Sequence, residues 1–591
     1  MAECFIVFTG GSGSMVLESL VHMAAVSAID YDVIHMLMMD VDQGNGNVAR
    51  ASTTVKHYCD FRESMNSAAV KGLFKSELKL YSWMPYHINS VETRDLQGMI
   101  EDEDDALWLA RALYTEDEIR HEVSIGFKGH PNLGVLFLEN LFSGVDEKNG
   151  LTDFIHAFVA KEADRLMLVG SCFGGTGASS IPVFGRFLRK RIKDMGGRDF
   201  SFALLALQPY FTLPEAEEKT LMIDSKKFAD KVKTVLSYYP QTIMKPDAIN
   251  PLYQHVYLLG SQERVHFPVN SSGTNKQENP ANIITWFACV AIKQFFNITK
   301  ASTLVPRKTQ LHLPWLTKST WEWDQFASLV FPTLEQNCAM LLQVAMLYIC
   351  KLHDPVLQLG KEPEHSFFAN MLRDYATQQR VIFGTKLKTL TDYLARYVNW
   401  FFQIVTHLPK DGITDTNQDE TRKEYADFHT CKYELVKKAF EEDNPIPTEP
   451  TKEDAKPGLT DAQQRLRAYR TLQLDSLFHQ KFLNAFLICK LENKRMEYWP
   501  FEGQAREMDE NAAMYQKAPN RDDTQTQELV ERPLAPLINE IANKRFLTRG
   551  ANLESMLSYM QAQEWTNATK IDTIYKLFVK SLFGAVAHFQ Q

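Results

Sequence analysis

Residues 170–182 read GSCFGGTGASSIP. Gly174, Gly175 and Gly177 remove the Cβ atoms that would hold a backbone away from an oxyanion. Thr176 adds a hydroxyl in the middle of the turn. The turn follows an apolar strand, Leu166–Val169, and precedes a helix expected to start near Ile181. The free N–H groups and positive dipole end of such a helix face the turn, which makes it a cradle for phosphate. Taken alone, the same residues also suit an ordinary tight connection between strand and helix. A second glycine turn lies near the start, in FIVFTGGSGSMVLESL, where Gly10, Gly11, Ser12, Gly13 and Ser14 come between a strand and a helix. Neither turn satisfies a common phosphate motif. A dinucleotide fingerprint started from Gly11 meets Val16 at its third glycine, and a P-loop started from Gly170 meets Thr176 where lysine belongs.

Other polar groups gather at strand ends. MMDVDQGNGN brings Asp40, Asp42 and Gln43 off the second strand. Carboxylates there suit a ribose hydroxyl or the water around magnesium, or they simply end the strand and open a turn at Gly44 and Asn45. GFKGHPNLG, with Gly129 and Asn132, reads as a loop entering a helix from Val135 onward. LALQPYFTLPE runs a strand into Pro209 and Pro214. QENPANIITWFACVAIKQFF opens a long apolar helix with Pro280 in its first turn. Asn279 and Asn282 stand at its start, where an amide either caps the helix or reads a purine edge.

The elements that must position these residues alternate. Continuous apolar strands at Phe5–Thr9, Val33–Val41, Leu166–Val169, Phe202–Leu207 and Val256–Leu259 are each followed by turn residues and a helical pattern. That predicts an α/β fold with a parallel sheet covered on both faces, with ligands beyond the carboxyl ends of the strands. From about Phe331 the periodicity is helical. Residues 443–461 hold four prolines and many charges and read as a linker or long loop. The expected organisation is a nucleotide-binding unit at 1–300 with a central helix near 280–297, a mostly helical second unit at 301–442, the linker, and a helical region at 462–591. In the last of these Ile571, Ile574, Phe578, Leu582, Val586 and Phe589 form one apolar stripe, which suits docking better than a membrane because its polar face is not strongly basic.

Composition narrows the class. The chain has 591 residues, 45% apolar and 23% charged, as in globular proteins of several domains. Its net charge of −9 argues against direct nucleic-acid binding as its main business. Eight scattered cysteines without a CxxC pair suggest reduced thiols and a cytoplasmic location. No signal peptide and no transmembrane segment are expected. The basic run Arg186–Lys193 reads as a helix end complementing its dipole, and the acidic run Glu101–Asp105 as a solvated stretch.

The order of these loops over the first 325 residues or so resembles the FtsZ/tubulin superfamily of GTPases, in its bacterial tubulin-like branch. GGSG resembles the family's first loop, MDVDQ its N-T-D-x-Q loop, and GHPNLG its A-N-P-E-V-G segment. FGGTGASSIP resembles the G-G-G-T-G-[ST]-G signature, with Phe173 in place of its first glycine and Ser179 in place of its last. LQPYF resembles its loop ending in a proline and an aromatic, and NPANIITWFA the start of its central helix. The resemblance implies GTP or GDP with Mg²⁺ as ligands. It places Gly11–Ser14 on the α/β phosphates, Gly174–Ala178 on the β/γ phosphates, Asp42 near magnesium and Asn282 on guanine. It also implies head-to-tail self-assembly into filaments, with a hydrolytic carboxylate supplied to the neighbouring subunit. In the matching loop, TKSTWEWDQF, the candidates are Glu322 and Asp324, which a solvated turn would equally accommodate. Two other readings remain: a non-polymerising GTP-dependent switch whose helical C-terminal region binds a protein partner, as in anti-phage defence, and a dinucleotide enzyme of Rossmann type.

Overall fold

The computed structural model describes residues 2–297 except 43, 66–71, 84–94, 100–103, 144–148, 215–222, 243–250, 261–263, 268–269 and 271–276. It also describes residues 310–312, scattered positions between 337 and 348, and residues 376–406 and 571–590. The strands are β1 (Glu3–Thr9), β2 (Val33–Met39), β3 (Glu77–Trp83), β4 (Arg165–Ser171), β5 (Ser201–Leu207), β6 (Phe211–Thr212), β7 (His255–Leu259), β8 (Val265–His266) and β9 (Gln310–His312). The helices are α1 (Gly10–Ala25), α2 (Gly46–Met65), α3 (Leu96–Met99), α4 (Asp104–Leu113), α5 (Glu116–Ile119), α6 (Pro131–Ser143), α7 (Gly150–Ala160), α8 (Gly175–Asp194), α9 (Phe228–Thr242), α10 (Ile283–Phe296), α11 (Thr377–Thr406) and α12 (Ile571–Gln590).

Seven strands form one sheet in the order β3-β2-β1-β4-β5-β7-β9, and every neighbouring pair is parallel. β6 and β8 form a separate two-stranded parallel sheet. β2 and β5 are buried at every position, as strands covered on both faces must be. α1, α2 and α10 pack together on the sheet, while α6, α7 and α8 form a second group against β2, β3 and β4. The chain order reverses direction between β1 and β4, whose register pairs Ile6 with Met167 and Phe8 with Val169. Sheets of this kind open a crevice at that reversal, beyond the strands' carboxyl ends.

Three boundaries differ from the sequence reading. The helix after the Gly174–Gly177 turn begins at Gly175 and not near Ile181, so the GTGASS segment is its opening stretch. These small residues become helical because they pack: a Cβ on Gly177 would lie 2.7 Å from the Ser171 nitrogen. α6 likewise begins at Pro131, four residues before Val135. β2 stops at Met39, so Asp40 already lies beyond the strand. β3 and β9 escaped the reading because they are the two edges of the sheet, and ELKLYSW and QLH are not continuous apolar runs.

α1 is buried almost all round. Its outer side is covered by α11, where Trp400 Nε1 donates to Ser19 Oγ at 2.9 Å, and Ser19 in turn donates to Thr285 Oγ1 of α10 at 2.7 Å. His22 of α1 lies among Tyr393, Tyr397 and Trp400, and burial pushes its imidazole well below the usual range, which keeps it neutral. α12 packs on α2 and α11 through the expected stripe: Ile571, Ile574, Phe578 and Leu582 are buried, and the side chains of Val586 and Phe589 lie outside the described residues. The Tyr575 hydroxyl accepts from Ser64 Oγ at 3.3 Å, and Lys386 pairs with Asp572 at 2.6 Å. The linker at 443–461 lies outside the described residues. Among the described residues, no helix is long and apolar enough to cross a membrane, and none of the five cysteines is in a disulfide.

Candidate functional site

At the reversal between β1 and β4 the two glycine turns meet. α1 starts directly on Thr9 and α8 directly on Gly174, and neither cap residue offers a side-chain hydrogen bond to its helix. The first N–H groups of both helices therefore lack an intrahelical acceptor and a side-chain cap at the same place. The two N-termini touch: a Cβ on Gly10 would come within 3.3 Å of the Gly177 nitrogen, and Gly10 itself has a φ of +71° that favours glycine. Two positive dipole ends on one spot are an arrangement that favours an anion, with no lysine in the turns themselves.

A cleft opens there, its walls bounding about 750 Å³ of space that includes open solvent. Gly10, Gly11 and Ser12 form its floor on the α1 side, and Gly174, Gly175, Thr176 and Gly177 on the α8 side. Asp40, Asp42 and Gly129 also line it, and so does Asn279 from the segment before α10. Four loops singled out in the sequence thus converge on one cavity with the α10 entry segment. Gly13 and Ser14 instead face inward. A Cβ on Gly13 would press on Val169 and Phe8, and Ser14 Oγ donates to the Gly10 carbonyl. Ala178 is buried within α8, Pro209 is buried beyond β5, and neither lines the cleft. Asn132 turns away, its Nδ2 donating to Glu118 Oε1 at 3.2 Å. Asn282 is the N-cap of α10, its Oδ1 accepting from the Ile284 nitrogen at 2.9 Å, and it is not a lining residue. Gln43, Glu322 and Asp324 lie outside the described residues.

Asp40 is the polar centre. Its Oδ1 accepts from Thr176 Oγ1 at 2.9 Å and from the Val41 nitrogen at 2.8 Å, and its Oδ2 from Asn45 Nδ2 at 2.9 Å. It is a strand-end residue that also clamps the glycine turn across the cleft. Burial pushes its carboxyl up to about 7, with help from the neighbouring Asp42 charge and against these hydrogen bonds. Asp42 Oδ1 accepts from the Gly44 nitrogen at 3.0 Å. Among the described residues no group of three or more His, Cys, Asp or Glu side chains is placed to hold a metal ion. Two adjacent carboxylates beside a polyanion cradle are nevertheless what a hydrated magnesium ion needs, because it takes most of its shell from water and phosphate.

Several residues in and around the cleft were not taken as site residues in the sequence. Asn45 and Asn47 order the segment after β2: Asn47 nitrogen donates to Asn45 Oδ1, and Asn47 Oδ1 accepts from the Asn279 nitrogen at 2.7 Å. Gln277 Nε2 donates to Asn279 Oδ1 at 2.6 Å. Arg50 holds the same segment by donating to the Asn279 carbonyl at 2.7 Å while it pairs with Glu18. At the other end the wall is apolar, made of Phe173, Phe211, Leu213, Ile223 and Phe228. Phe173 packs on Phe228 with ring centroids 4.6 Å apart, so the residue that departs from the glycine signature anchors this wall. Ser179 is an inward-facing helix residue, its Oγ donating to the Gly175 carbonyl at 2.8 Å.

The third loop closes the cleft. A Cβ on Gly175 would lie 2.6 Å from Phe127 Cβ, and one on Gly126 would lie 3.0 Å from Asp42 Cβ. Lys231 Nζ donates to the Gly129 carbonyl at 2.6 Å, and burial, with Lys227 nearby, pulls its ammonium below the usual range. Behind the loop His130 Nδ1 meets Glu118 Oε1 at 2.8 Å. Burial works to raise the Glu118 carboxyl, but hydrogen bonds from Thr115, Asn132 and His130 outweigh it and leave it below the usual range. No protein-family model, curated protein or solved structure matches this chain.

Proposed function

We propose that the cleft binds a nucleoside triphosphate with magnesium, GTP in the first instance, and that the chain hydrolyses it. The observation that carries this reading is the meeting of two helix N-termini, both without side-chain caps, on one cleft. Support also comes from the order of the loops along the chain, which resembles the FtsZ/tubulin superfamily. Backbone N–H groups from Gly10 to Ser12 would take the α/β phosphates, and those from Gly175 to Gly177 the β/γ phosphates. Asp40 and Asp42 would hold water around magnesium, which supplies positive charge to the phosphates when bound. Phosphoryl transfer asks mainly for such positioning and charge stabilisation. The base would lie toward Asn279 and Gln277, the amides that line the cleft, and not at the capping Asn282. In this reading Glu322 or Asp324 polarises water at the next subunit's nucleotide, and turnover follows head-to-tail assembly.

The test is thermal unfolding with GTP, GDP, ATP and NAD side by side, since a ligand at 100 times its dissociation constant adds about 2.7 kcal/mol. GTP with magnesium should raise the transition and NAD should not; a shift by NAD alone would overturn the reading in favour of a dinucleotide enzyme. Specific GTPase activity should rise with protein concentration alongside sedimentable polymer. One observation favours a second reading, the non-polymerising switch. The family's second domain is α/β, whereas α11 and α12, which pack on α2, are helical. Under that reading GTP binds and activity per molecule stays flat with concentration.

A further inference from the structure

Three of four consecutive positions in the loop over the cleft are left-handed: Gly126 at φ +77°, Lys128 at +41° and Gly129 at +77°. Glycine meets this demand twice, yet the position between carries a lysine. A non-glycine residue in this region is strained, because its Cβ crowds its own backbone. The lysine side chain does not escape into solvent: Lys128 is 8% exposed and lines the cleft. A long cation in a conformation suited to glycine thus stands in the cleft wall, beside the two helix N-termini where an anion is favoured.

The loop's neighbours say which part of the ligand. Phe127 and Gly129 pack on Gly175, at the start of α8, and Gly126 packs on Asp42. The loop therefore bridges the magnesium side of the cleft and the α8 turn, and that turn holds the far end of the phosphate chain in the nucleotide reading on which this inference rests. Lys231 ties the loop down from behind through the Gly129 carbonyl. We propose that Lys128 is the cationic contact to the terminal phosphate, and that its ammonium makes the site prefer a triphosphate over a diphosphate. The backbone strain is retained because glycine, which would relieve it, cannot carry the charge.

Two variants separate charge from strain. Lys128→Met keeps the side chain and removes the charge, while Lys128→Gly removes both. Calorimetric titration of the full chain with GTP and with GDP, magnesium present, reads the outcome. A charge-assisted contact to phosphate predicts that both variants bind GTP about tenfold to a hundredfold more weakly, with GDP much less affected. Lys128→Gly should also unfold at a higher temperature than the wild type, which a lysine retained for stability would not allow. Wild-type preference for GTP over GDP that persists in both variants would overturn the inference and leave the nucleotide reading standing. If the wild type binds neither nucleotide, that reading fails, and tripolyphosphate against pyrophosphate decides for Lys128. A preference for tripolyphosphate that both variants lose supports it; no binding of either overturns it.

Discussion

Arg50 and Glu18 form a buried ion pair between α2 and α1, with side chains 9% and 7% exposed. Arg50 Nε lies 3.1 and 2.9 Å from the two carboxylate oxygens, Nη2 lies 2.8 Å from one of them, and Nη2 also donates to the Asn279 carbonyl. Among the described residues, Arg50→Met leaves the buried Glu18 carboxylate the Thr54 hydroxyl at 3.5 Å, and Glu18→Met leaves the guanidinium the Asn279 carbonyl but no counter-charge. Breaking a buried pair from one side costs about 3–5 kcal/mol, because an uncompensated charge stays behind. That is roughly a fifth or more of a typical stability of about 5–15 kcal/mol. Replacing both residues with methionine removes both charges, and such exchanges come out near neutral. The remaining cost is the lost donor to Asn279, about 1 kcal/mol. Urea unfolding of the wild type, the two single variants and the double variant closes the cycle. The expected result is two weak single variants, a double variant close to wild type, and a coupling of about 3 kcal/mol or more. Single losses that simply add, or that stay below about 1 kcal/mol each, would refute the reasoning, since the pair would then behave as if solvated.

Asp40 supplies a pH signature. Its folded carboxyl titrates at about 7 against an unfolded value near 3.8, so its protonated form favours the fold. Its contribution is complete below pH 4 and is lost as pH rises toward 7, by up to about 1.4 kcal/mol per pH unit. Asp40→Asn should flatten that part of the profile in urea unfolding at pH 5 and pH 7; a slope unchanged from wild type would show that Asp40 is already ionised across this range. Gly177→Ala drives a methyl to within 2.7–2.9 Å of the Ser171 backbone nitrogen and carbonyl, none of which can swing aside. It should cost at least about 1–3 kcal/mol in thermal or chemical unfolding and open the contact between the two glycine turns; wild-type stability would place that contact elsewhere.

The sheet was legible in the sequence wherever burial on both faces forces an uninterrupted apolar run, as in β1, β2, β4, β5 and β7. It was illegible at the edges, where β3 alternates charge with apolar residues. The glycine turns were legible as places of close backbone approach between strand and helix, because glycine carries no Cβ to hold neighbours off. Their helical character was not, since GTGASS has poor helix propensity and turns helical only against Ser171 and Phe127. Asn282 illustrates a second limit: an amide at a helix start is chemically fit for a base, but only the bond to Ile284 shows that it is capping. The aromatic wall could not be read at all, because Phe173, Phe211 and Phe228 become neighbours only after the sheet has folded.

The docking of α12 has a consequence for how the chain is made. Ser64 and Tyr575, which bond across the α2–α12 contact, are 511 residues apart. At roughly 5–20 residues per second, a ribosome needs about 25–100 s to cover that distance. During that time α2 has left the tunnel while the helix that will cover it does not yet exist. The apolar side of α2 facing α11 and α12 is thus a natural landing place for a chaperone. A version of the chain truncated after the sheet would keep that side bare for good.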